Sequence, residues 1–294
     1  MSTSYPHLLD ELGLGPPARL DAVGGGCIAQ AQVATFRDGT KAFVKRAAGQ
    51  PDMFPREAEG LQALADARAI RVPRVLVCSE DALVLEWVET GPRRAGFFAA
   101  FGRAFARLHE YRGPCCGFPH DNFIGSTPQI NRPLQGSWGE AQDPDGRGWP
   151  EFFLERRLRF QTRLARESGH GAGLDNLLDS AEHHIAGLLA QAPEPPSLLH
   201  GDLWGGNYVC DERGEACLID PAAYYGHREA DLAMTRLFGG FDADFYRGYE
   251  EALPLAPGAA ERLPVYQLYH LLNHLNLFGS SYYRQCQSIL QRFT

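Results

Sequence analysis

The chain has 294 residues, a length that suggests about two domains and allows a large hydrophobic core without disulfide bonds or a structural metal. Hydrophobic residues make up 44% of it, aromatic residues 11% and charged residues 22%, which excludes a disordered, collagen-like or low-complexity protein. The net charge of -8 argues against a nucleic-acid backbone as the main partner, but it is compatible with a small or cationic substrate and with ATP in a locally basic pocket.

The first part of the chain, from about residue 20 to residue 88, has mostly strand-like patterns. Two apolar runs flank the turn at Asp38 and Gly39, which is typical of a β-hairpin. A following segment has apolar residues at helical spacing. The predicted elements are strands 28–36 and 40–45, helix 54–67, and strands 72–77 and 82–88.

Beyond residue 90 the chain becomes mostly helical, with one short strand pair around a Gly-containing turn. The predicted elements are helices 97–111, 149–166, 174–191 and 264–278, strands 208–210 and 216–219, and an exposed Gly-, Asp- and Pro-rich loop 135–148. The chain is therefore predicted to be an α+β protein with two lobes. Residues 1–88 would form a small β-rich N-terminal lobe, and residues 89–294 a larger, mostly helical C-terminal lobe.

The cysteines and the N-terminus indicate a cytoplasmic protein. Seven cysteines are an odd number, lie scattered and form no CxxC pair, so neither a disulfide framework nor a zinc site is expected. Residues 1–7 lack the basic and apolar segments of a signal peptide, and no run approaches the roughly 20 apolar residues of a membrane span.

The strongest chemical signal is the segment 199–207, Leu-His-Gly-Asp-Leu-Trp-Gly-Gly-Asn. Asp202 is followed five positions later by Asn207, and Asp220 lies thirteen positions further on, across the strand pair. Phosphoryl transfer needs a carboxylate to accept a proton from the acceptor hydroxyl, and oxygen ligands to hold magnesium on the phosphates. We therefore predict that Asp202 is the base and that Asn207 and Asp220 are ligands of Mg2+.

A second signal is a glycine-rich turn followed by a strand that ends in lysine and a helix with an early glutamate. The turn consists of Gly24, Gly25, Gly26, Cys27 and Ile28. Its backbone N–H groups can approach the phosphates of ATP, Lys45 would bind the α- and β-phosphates, and Glu57 would hold that lysine. Taken singly, Lys45 or Glu57 is better explained as a solvated charge, but the order of all the elements is that of a kinase. Glu59 is the alternative to Glu57, because sequence does not fix the register of the helix.

Longer segments resemble the fructosamine kinase (ketosamine kinase) family. The resemblance is closest in 200–207, 219–241 and 266–276, and weaker in 26–28, 118–131 and 149–153. It implies a protein-kinase-like fold related to the aminoglycoside phosphotransferases. It also implies ATP-dependent phosphorylation of the C3 hydroxyl of ketosamines, after which the unstable product breaks down and frees the amine. The implied partner is a small-molecule or protein-bound ketosamine, with no nucleic acid and no membrane.

The resemblance carries roles to individual residues. It implies the same roles for Asp202, Asn207, Asp220, Lys45 and Glu57 as the motifs do. In addition, it implies that a hinge strand meets adenine through its backbone. This hinge strand consists of Leu85, Glu86, Trp87 and Val88.

Several further polar residues have alternative interpretations. Asp231 resembles the family aspartate that braces the catalytic loop, and His200 fits the same supporting role. His270, Asn273 and His274 lie at i, i+3 and i+4 on one helix face. They are expected to be satisfied within the helical lobe, with metal binding as a second interpretation and contact to the ketosamine as a third.

One departure from the family concerns the segment before Trp149, where the chain carries an insertion that includes 135–148. We expect the helix after it near the acceptor side of the cleft, so the insertion leaves the substrate open among ribulosamine, fructosamine and erythrulosamine. A kinase for another amino sugar, an aminoglycoside or a choline-like acceptor is the alternative enzyme. A non-catalytic nucleotide-binding module is the alternative from another class.

Overall fold

The computed structural model describes Leu9, residues 12–23, residues 30–47, Gln50 and residues 52–294. Its N-terminal part is a five-stranded antiparallel sheet with the order β1-β2-β3-β5-β4. The strands are β1 (Arg19–Ala22), β2 (Gln30–Thr35), β3 (Lys41–Arg46), β4 (Val75–Cys78) and β5 (Ala82–Glu86). The predicted hairpin is confirmed, since β2 and β3 pair around the turn at Asp38 and Gly39.

Successive side chains of β3 point to opposite faces of the sheet, so one face holds core residues and the other holds residues of the cleft. Ala42 and Val44 pack into an apolar cluster on one face of the sheet, and Phe43 and Lys45 point to the other face, where they line a cavity. Helix α1 (Met53–Asp66) lies over that second face and buries Phe54 and two leucines. The sheet thus presents Lys45 toward the C-terminal part of the chain.

The C-terminal part is mostly helical. Its helices are α2 (Phe97–His109), α3 (Trp149–Phe153), a π-helical turn (Leu154–Arg159), α4 (Phe160–Glu167), α5 (Leu174–Leu189), α6 (Glu229–Leu237), α7 (Ala243–Ala252), α8 (Ala259–Phe278), a 3-10 turn (Ser280–Tyr282) and α9 (Tyr283–Leu290). Three antiparallel strand pairs complete it: β6 (Asn122–Ile124) with β7 (Thr127–Gln129), β8 (Ser197–Leu199) with β11 (Tyr224–Gly226), and β9 (Tyr208–Cys210) with β10 (Ala216–Leu218). Helix α8 packs against α4, α6 and α9 in the main hydrophobic core.

This arrangement confirms the predicted α+β class with a small sheet and a larger helical part. The helix predicted for 149–166 is interrupted by the π-helical turn, and the one predicted from residue 264 begins five residues earlier, at Ala259. Helices α6, α7 and α9 and the strand pairs β6–β7 and β8–β11 were not predicted. The boundary at 88/89 stays a prediction.

The segment 135–148 forms neither helix nor strand, as predicted, but it is not exposed throughout. The ring of Trp138 packs against Phe118 and Tyr225, and Gly146 is buried. A Cβ at Gly146 would lie 1.8 Å from the carbonyl oxygen of Glu194, so only glycine fits this close approach. In the described part of the chain, no helix combines the length and apolar character needed to span a membrane.

Candidate active site

A cavity of about 490 Å3 lies between the sheet and the helical part. Its walls come from β3, β5, α1, the β6–β7 hairpin, the loop after β8, the segment after β10 and the end of α8. Of the predicted site residues, those that line the cavity are Lys45, Glu57, Leu85, Glu86, Trp87, Val88, Asp202, Asn207 and Asp220. The glycine turn, including Cys27, lies outside the described residues, although Val23 before it and Ala31 after it line the cavity.

Lys45 is held by two carboxylates on opposite sides of the cavity. Its Nζ donates to Oε1 of Glu57 and to Oδ1 of Asp220, each at 2.6 Å. Burial alone would lower the pKa of Lys45, but the charges of the two carboxylates raise it, so the ammonium stays protonated. Glu59, the alternative partner, instead binds Arg56 and His120, so the helix register selects Glu57.

Asp231, at the start of α6, braces the loop that carries Asp202. Its carboxylate accepts the backbone N–H groups of His200 at 2.7 Å and Gly201 at 2.8 Å, and the ring of His109 lies 3.2 Å from Oδ2. Gly201 has a φ of +82°, and a Cβ there would lie 2.0 Å from the carbonyl oxygen of Ala222. The His-Gly-Asp sequence therefore requires its glycine, because only glycine allows this backbone contact.

His200 joins the loop to the strand that leads to Asp220. Its Nδ1 accepts the backbone N–H of Asp202 at 3.2 Å, and its Nε2 donates to the carbonyl oxygen of Ile219 at 2.9 Å. Burial lowers the pKa of His200, which keeps the ring neutral and suited to one donor and one acceptor. The residues predicted to support the loop, Asp231 and His200, thus contact its backbone directly.

Asp202 is partly buried next to Asn207. The amide Nδ2 of Asn207 donates to the backbone carbonyl oxygen of Asp202 at 2.8 Å and to its Oδ2 at 3.2 Å. Burial raises the pKa of Asp202 well above its usual range, and the charge of Asp220 raises it further, whereas the hydrogen bond from Asn207 lowers it. A carboxylate with a raised pKa is a stronger proton acceptor than an ordinary one.

Asp220 follows β10 with a φ of +55°, a left-handed backbone conformation that is uncommon for a residue other than glycine. The side chain of Asp220 is 46% exposed. The amide Nδ2 of Asn207 donates to Asp202, which leaves the amide oxygen of Asn207 to bind a cation. A carboxylate and an amide oxygen are hard ligands, which suit Mg2+. The donor set in the cleft therefore fits the predicted metal.

Leu85 and Glu86 of the hinge strand form the end of β5, whereas Trp87 and Val88 lie beyond the strand, which ends two residues earlier than predicted; all four residues line the cavity. Their apolar neighbours in the cavity wall include Phe43, Val209 and Ile219. The side chain of Glu86 points to two arginines, Arg71 and Arg74. An apolar slot beside strand backbone suits a flat heteroaromatic base.

The end of α8 forms a wall of the cavity, which is compatible with the interpretation that Asn273 and His274 contact the acceptor, whereas Leu277 and Phe278 were not singled out from the sequence. One helical face lines the cavity with Asn273, His274, Leu277 and Phe278, together with Trp204 of the loop after β8. Nδ1 of His274 donates to the backbone carbonyl of His270, and burial lowers the pKa of His274, so its Nε2 carries a free lone pair. His270, one turn earlier on the same helix, is buried and does not line the cavity. The spacing i, i+3, i+4 extended by one turn would have found Leu277 and Phe278.

The expectation that the helix from Trp149 lies near the acceptor side stays a prediction: Gln161, in the second half of the predicted helix 149–166, donates to Asn273 of the cavity wall at 3.4 Å, but no residue of that helix lines the cavity itself. Trp149, Phe152 and Phe153 are buried in the core, and none of residues 135–148, all of which the structure describes, lines the cavity. The aromatic residues of this helix pack against one another and against Tyr266 because their combined apolar area is more stable in the core. The insertion therefore does not line this cavity.

Comparison with known proteins gives matches over nearly the whole chain. The sequence matches the fructosamine kinase family over residues 14–294. A "probable ketoamine kinase" of Synechocystis is 42% identical over 290 residues, which cover 95% of this chain and 92% of that protein. A chloroplastic protein-ribulosamine 3-kinase of Arabidopsis thaliana is 38% identical over 284 residues, covering 94% of this chain and 82% of that protein. A crystal structure described as a "putative fructosamine-3-kinase" from Thermobifida fusca has a TM-score of 0.85 and 32% identity, and covers 99% of this chain and 98% of that one.

Proposed function

The chain belongs to the fructosamine kinase family, and we propose that it uses ATP and Mg2+ to phosphorylate the C3 hydroxyl of ketosamines, with Asp202 as the base. The substrates are ribulosamine or fructosamine adducts, either free or on protein lysines. The names of the ketoamine kinase and ribulosamine 3-kinase relatives support this substrate class. The observation that carries the proposal is the position of Asp202, Asn207 and Asp220 in the same cavity as Lys45.

The oxygen of the C3 hydroxyl forms a bond to the γ-phosphorus of ATP while the bond between that phosphorus and the leaving oxygen of ADP breaks. Asp202 accepts the proton that the hydroxyl loses in this step. The raised pKa of Asp202 increases its affinity for that proton. Asp231 and His200 hold the loop backbone, so the carboxylate is positioned before substrate binds. Positioning and charge stabilisation, rather than a covalent intermediate, supply the rate.

The N-terminal lobe, residues 1–88, binds the nucleotide, and the C-terminal lobe, residues 89–294, supplies the catalytic loop. Lys45 binds the α- and β-phosphates, and Glu57 keeps the ammonium in place from the adjacent helix. Asn207 and Asp220 would hold Mg2+, which when bound neutralises phosphate charge. The hinge strand provides backbone groups for adenine, and the glycine turn provides N–H groups for the phosphates.

The acceptor binds against Trp204 and the end of α8. A ketosamine carries several hydroxyl groups and a cationic amine. Nε2 of His274 can accept a hydrogen bond from a hydroxyl, and the ring of Trp204, a residue that is 41% exposed, can offer an aromatic face to the cation. This wall therefore suits the polar and cationic ends of one small acceptor.

A panel of acceptors tests the substrate class. ADP production with Mg-ATP would be measured with ribulosamine, fructosamine, an aminoglycoside and choline, each against the Asp202→Asn variant. We expect turnover with the ketosamines alone, because only they carry the C3 hydroxyl next to a C2 ketone. Turnover confined to the aminoglycoside or choline would overturn the proposed substrate, and ADP binding without turnover of any acceptor would favour a binding module.

A further inference from the structure

Arg71 lies outside the cavity but joins the two segments that border its nucleotide end. It lies between α1 and β4, and its guanidinium Nη2 donates to Oε1 of Glu86 at 2.8 Å. Nη1 donates to Oδ2 of Asp211 at 2.7 Å and contacts Glu212 at 3.2 Å. Glu86 belongs to the hinge strand, whereas Asp211 and Glu212 follow β9, so one side chain bridges both.

The main chain of Arg71 makes a second connection to the same hairpin. Its carbonyl oxygen accepts the backbone N–H of Leu218 at 2.9 Å, and Arg71 forms an isolated parallel bridge with Cys217 on β10. Asp220 follows Leu218 by two residues. Arg71 is therefore tied to the strand that leads to the proposed metal ligand.

These contacts close a ring around the residues that border adenine. Thr90 pairs with Asp211 in an antiparallel bridge, and Gly91 N–H donates to the carbonyl oxygen of Cys210 at 3.0 Å. The segment from Glu86 to Thr90 is thus tied to the hairpin at both ends. Of the three residues between them, Trp87 and Val88 line the cavity. Arg71 completes the ring through Asp211.

Charge and burial make the bridge specific for a guanidinium. Asp211 is fully buried, and although burial alone would raise its pKa, hydrogen bonds from the amide of Glu215 and from Arg71 lower it below the usual range. The pKa of Arg71 itself is raised, because its carboxylate partners outweigh desolvation. Arg71 binds Asp211 and Glu86 through two different nitrogens of one planar guanidinium, whereas a lysine would have to reach both carboxylates from a single nitrogen.

We propose that Arg71 is a positioning residue for the nucleotide: it sets the spacing between the adenine-binding backbone and the hairpin that carries Asn207 and Asp220. This inference rests on the proposed function of the cleft. Removing the guanidinium breaks the tie between Glu86 and Asp211, although Glu86 stays paired with Ala42 in the sheet and bound to Arg74. The segment after Glu86 is then less restrained, so the nucleotide must order it on binding and its affinity falls. The acceptor wall shares no contact with Arg71, so acceptor binding does not change.

The test uses three variants with a matched control. Arg71→Met removes the bridge, and Arg71→Met/Asp211→Asn removes it without leaving an unpaired buried carboxylate. Arg74→Met is the control, since Arg74 also binds Glu86, at 3.1 Å, but is 78% exposed and, among the described residues, has no contact with the hairpin. Arg71→Lys tests whether charge alone suffices.

We expect the Kd of ADP, measured by calorimetry, and the KM of ATP to rise by roughly tenfold in both proteins that carry Arg71→Met, with kcat and the ketosamine KM within about twofold of wild type. Arg71→Lys should recover only part of the affinity, and Arg74→Met should bind like wild type. The double variant should regain thermal stability without regaining affinity. If the double variant binds ADP like wild type, or if kcat and both KM values change together, Arg71 has a structural role only.

Calorimetry with ADP needs no acceptor, so it separates this inference from the proposed substrate. If ketosamines are not phosphorylated but ADP affinity depends on Arg71 as described, the substrate is wrong and the inference stands. If ADP binds equally to wild type and variants, the inference alone is overturned. If wild type binds no adenine nucleotide, both are overturned.

Discussion

Nζ of Lys45 lies 2.6 Å from Oδ1 of Asp220, a residue 175 positions further along the chain. The contact crosses the cleft from strand β3 to the segment after β10, and Glu57 completes it from α1. Three separate elements thus converge on one ammonium. This arrangement places a fixed positive charge beside the residues proposed to bind metal.

The first prediction separates Glu57 from Glu59. Glu57→Gln should lower kcat/KM for ATP by roughly ten- to a hundredfold, because Lys45 loses the partner that orients it on the nucleotide side. Glu59→Gln is the matched control: it removes a carboxylate two residues away that binds Arg56 and His120, and should change kcat/KM by less than about twofold. Steady-state kinetics with varied ATP measure both, and equal effects of the two variants would contradict the assignment.

The second prediction concerns the brace at Asp231. An asparagine there keeps only one accepting oxygen for the two backbone N–H groups of His200 and Gly201. Asp231→Asn should lower the free energy of unfolding by about 1–3 kcal/mol and reduce kcat, since the loop that carries Asp202 loses a support. Asp66→Asn, at an exposed aspartate on α1, serves as the control. Denaturant unfolding and kcat test the pair, and wild-type values for both in Asp231→Asn would refute the bracing role.

The third prediction is a pH dependence of stability that His270 contributes. Burial, and then the neighbouring His274, lower the pKa of His270 from 6.5 to about 3. Between these values the unfolded chain binds a proton that the folded chain does not, so stability falls as the pH is lowered below about 6.5. His270→Gln removes the group that takes up this proton on unfolding. Its free energy of unfolding should therefore fall less steeply between pH 6 and 5, by up to about 1.4 kcal/mol per pH unit. Parallel slopes for wild type and variant would show that His270 does not behave in this way.

The fourth prediction tests the acceptor wall. His274→Ala removes the lone pair of Nε2 from the cavity and should raise the KM for a ketosamine by about five- to tenfold, the loss of one hydrogen bond. The KM for ATP should stay within about twofold, because none of the residues proposed to bind the nucleotide belongs to α8. A rise in the KM for ATP alone would place His274 on the nucleotide side instead.

The residues set by local sequence were predicted best. The His-Gly-Asp segment, Asn207 and Asp220 lie within one loop and hairpin, so their spacing along the chain determines their spacing in the fold. The resemblance to the fructosamine kinase family, drawn from these motifs, is confirmed over residues 14–294. Lys45 and Glu57 were predicted from the order of strand and helix, and their 2.6 Å contact agrees with that prediction.

Contacts that depend on distant packing were missed. No local pattern shows that the end of α8 lines the same cavity as Trp204, or that Arg71 reaches Asp211, 140 positions away. The helix from Trp149 buries its aromatic residues in the core, and it reaches the cavity wall through Gln161, which contacts Asn273, 112 positions away. Sequence periodicity identified a buried face in these helices but not the neighbour that covers it.

The central claim is that Asp202 directs phosphoryl transfer to the C3 hydroxyl of a ketosamine. Wild type and Asp202→Asn would be incubated with Mg-ATP and ribulosamine or fructosamine, the position of the phosphate read by NMR, and the Kd of ADP measured in parallel. We expect a single product phosphorylated at C3 and a loss of roughly 10^2- to 10^4-fold in rate for the variant, with ADP affinity retained. Phosphate on another hydroxyl, or a variant as fast as wild type, would contradict it.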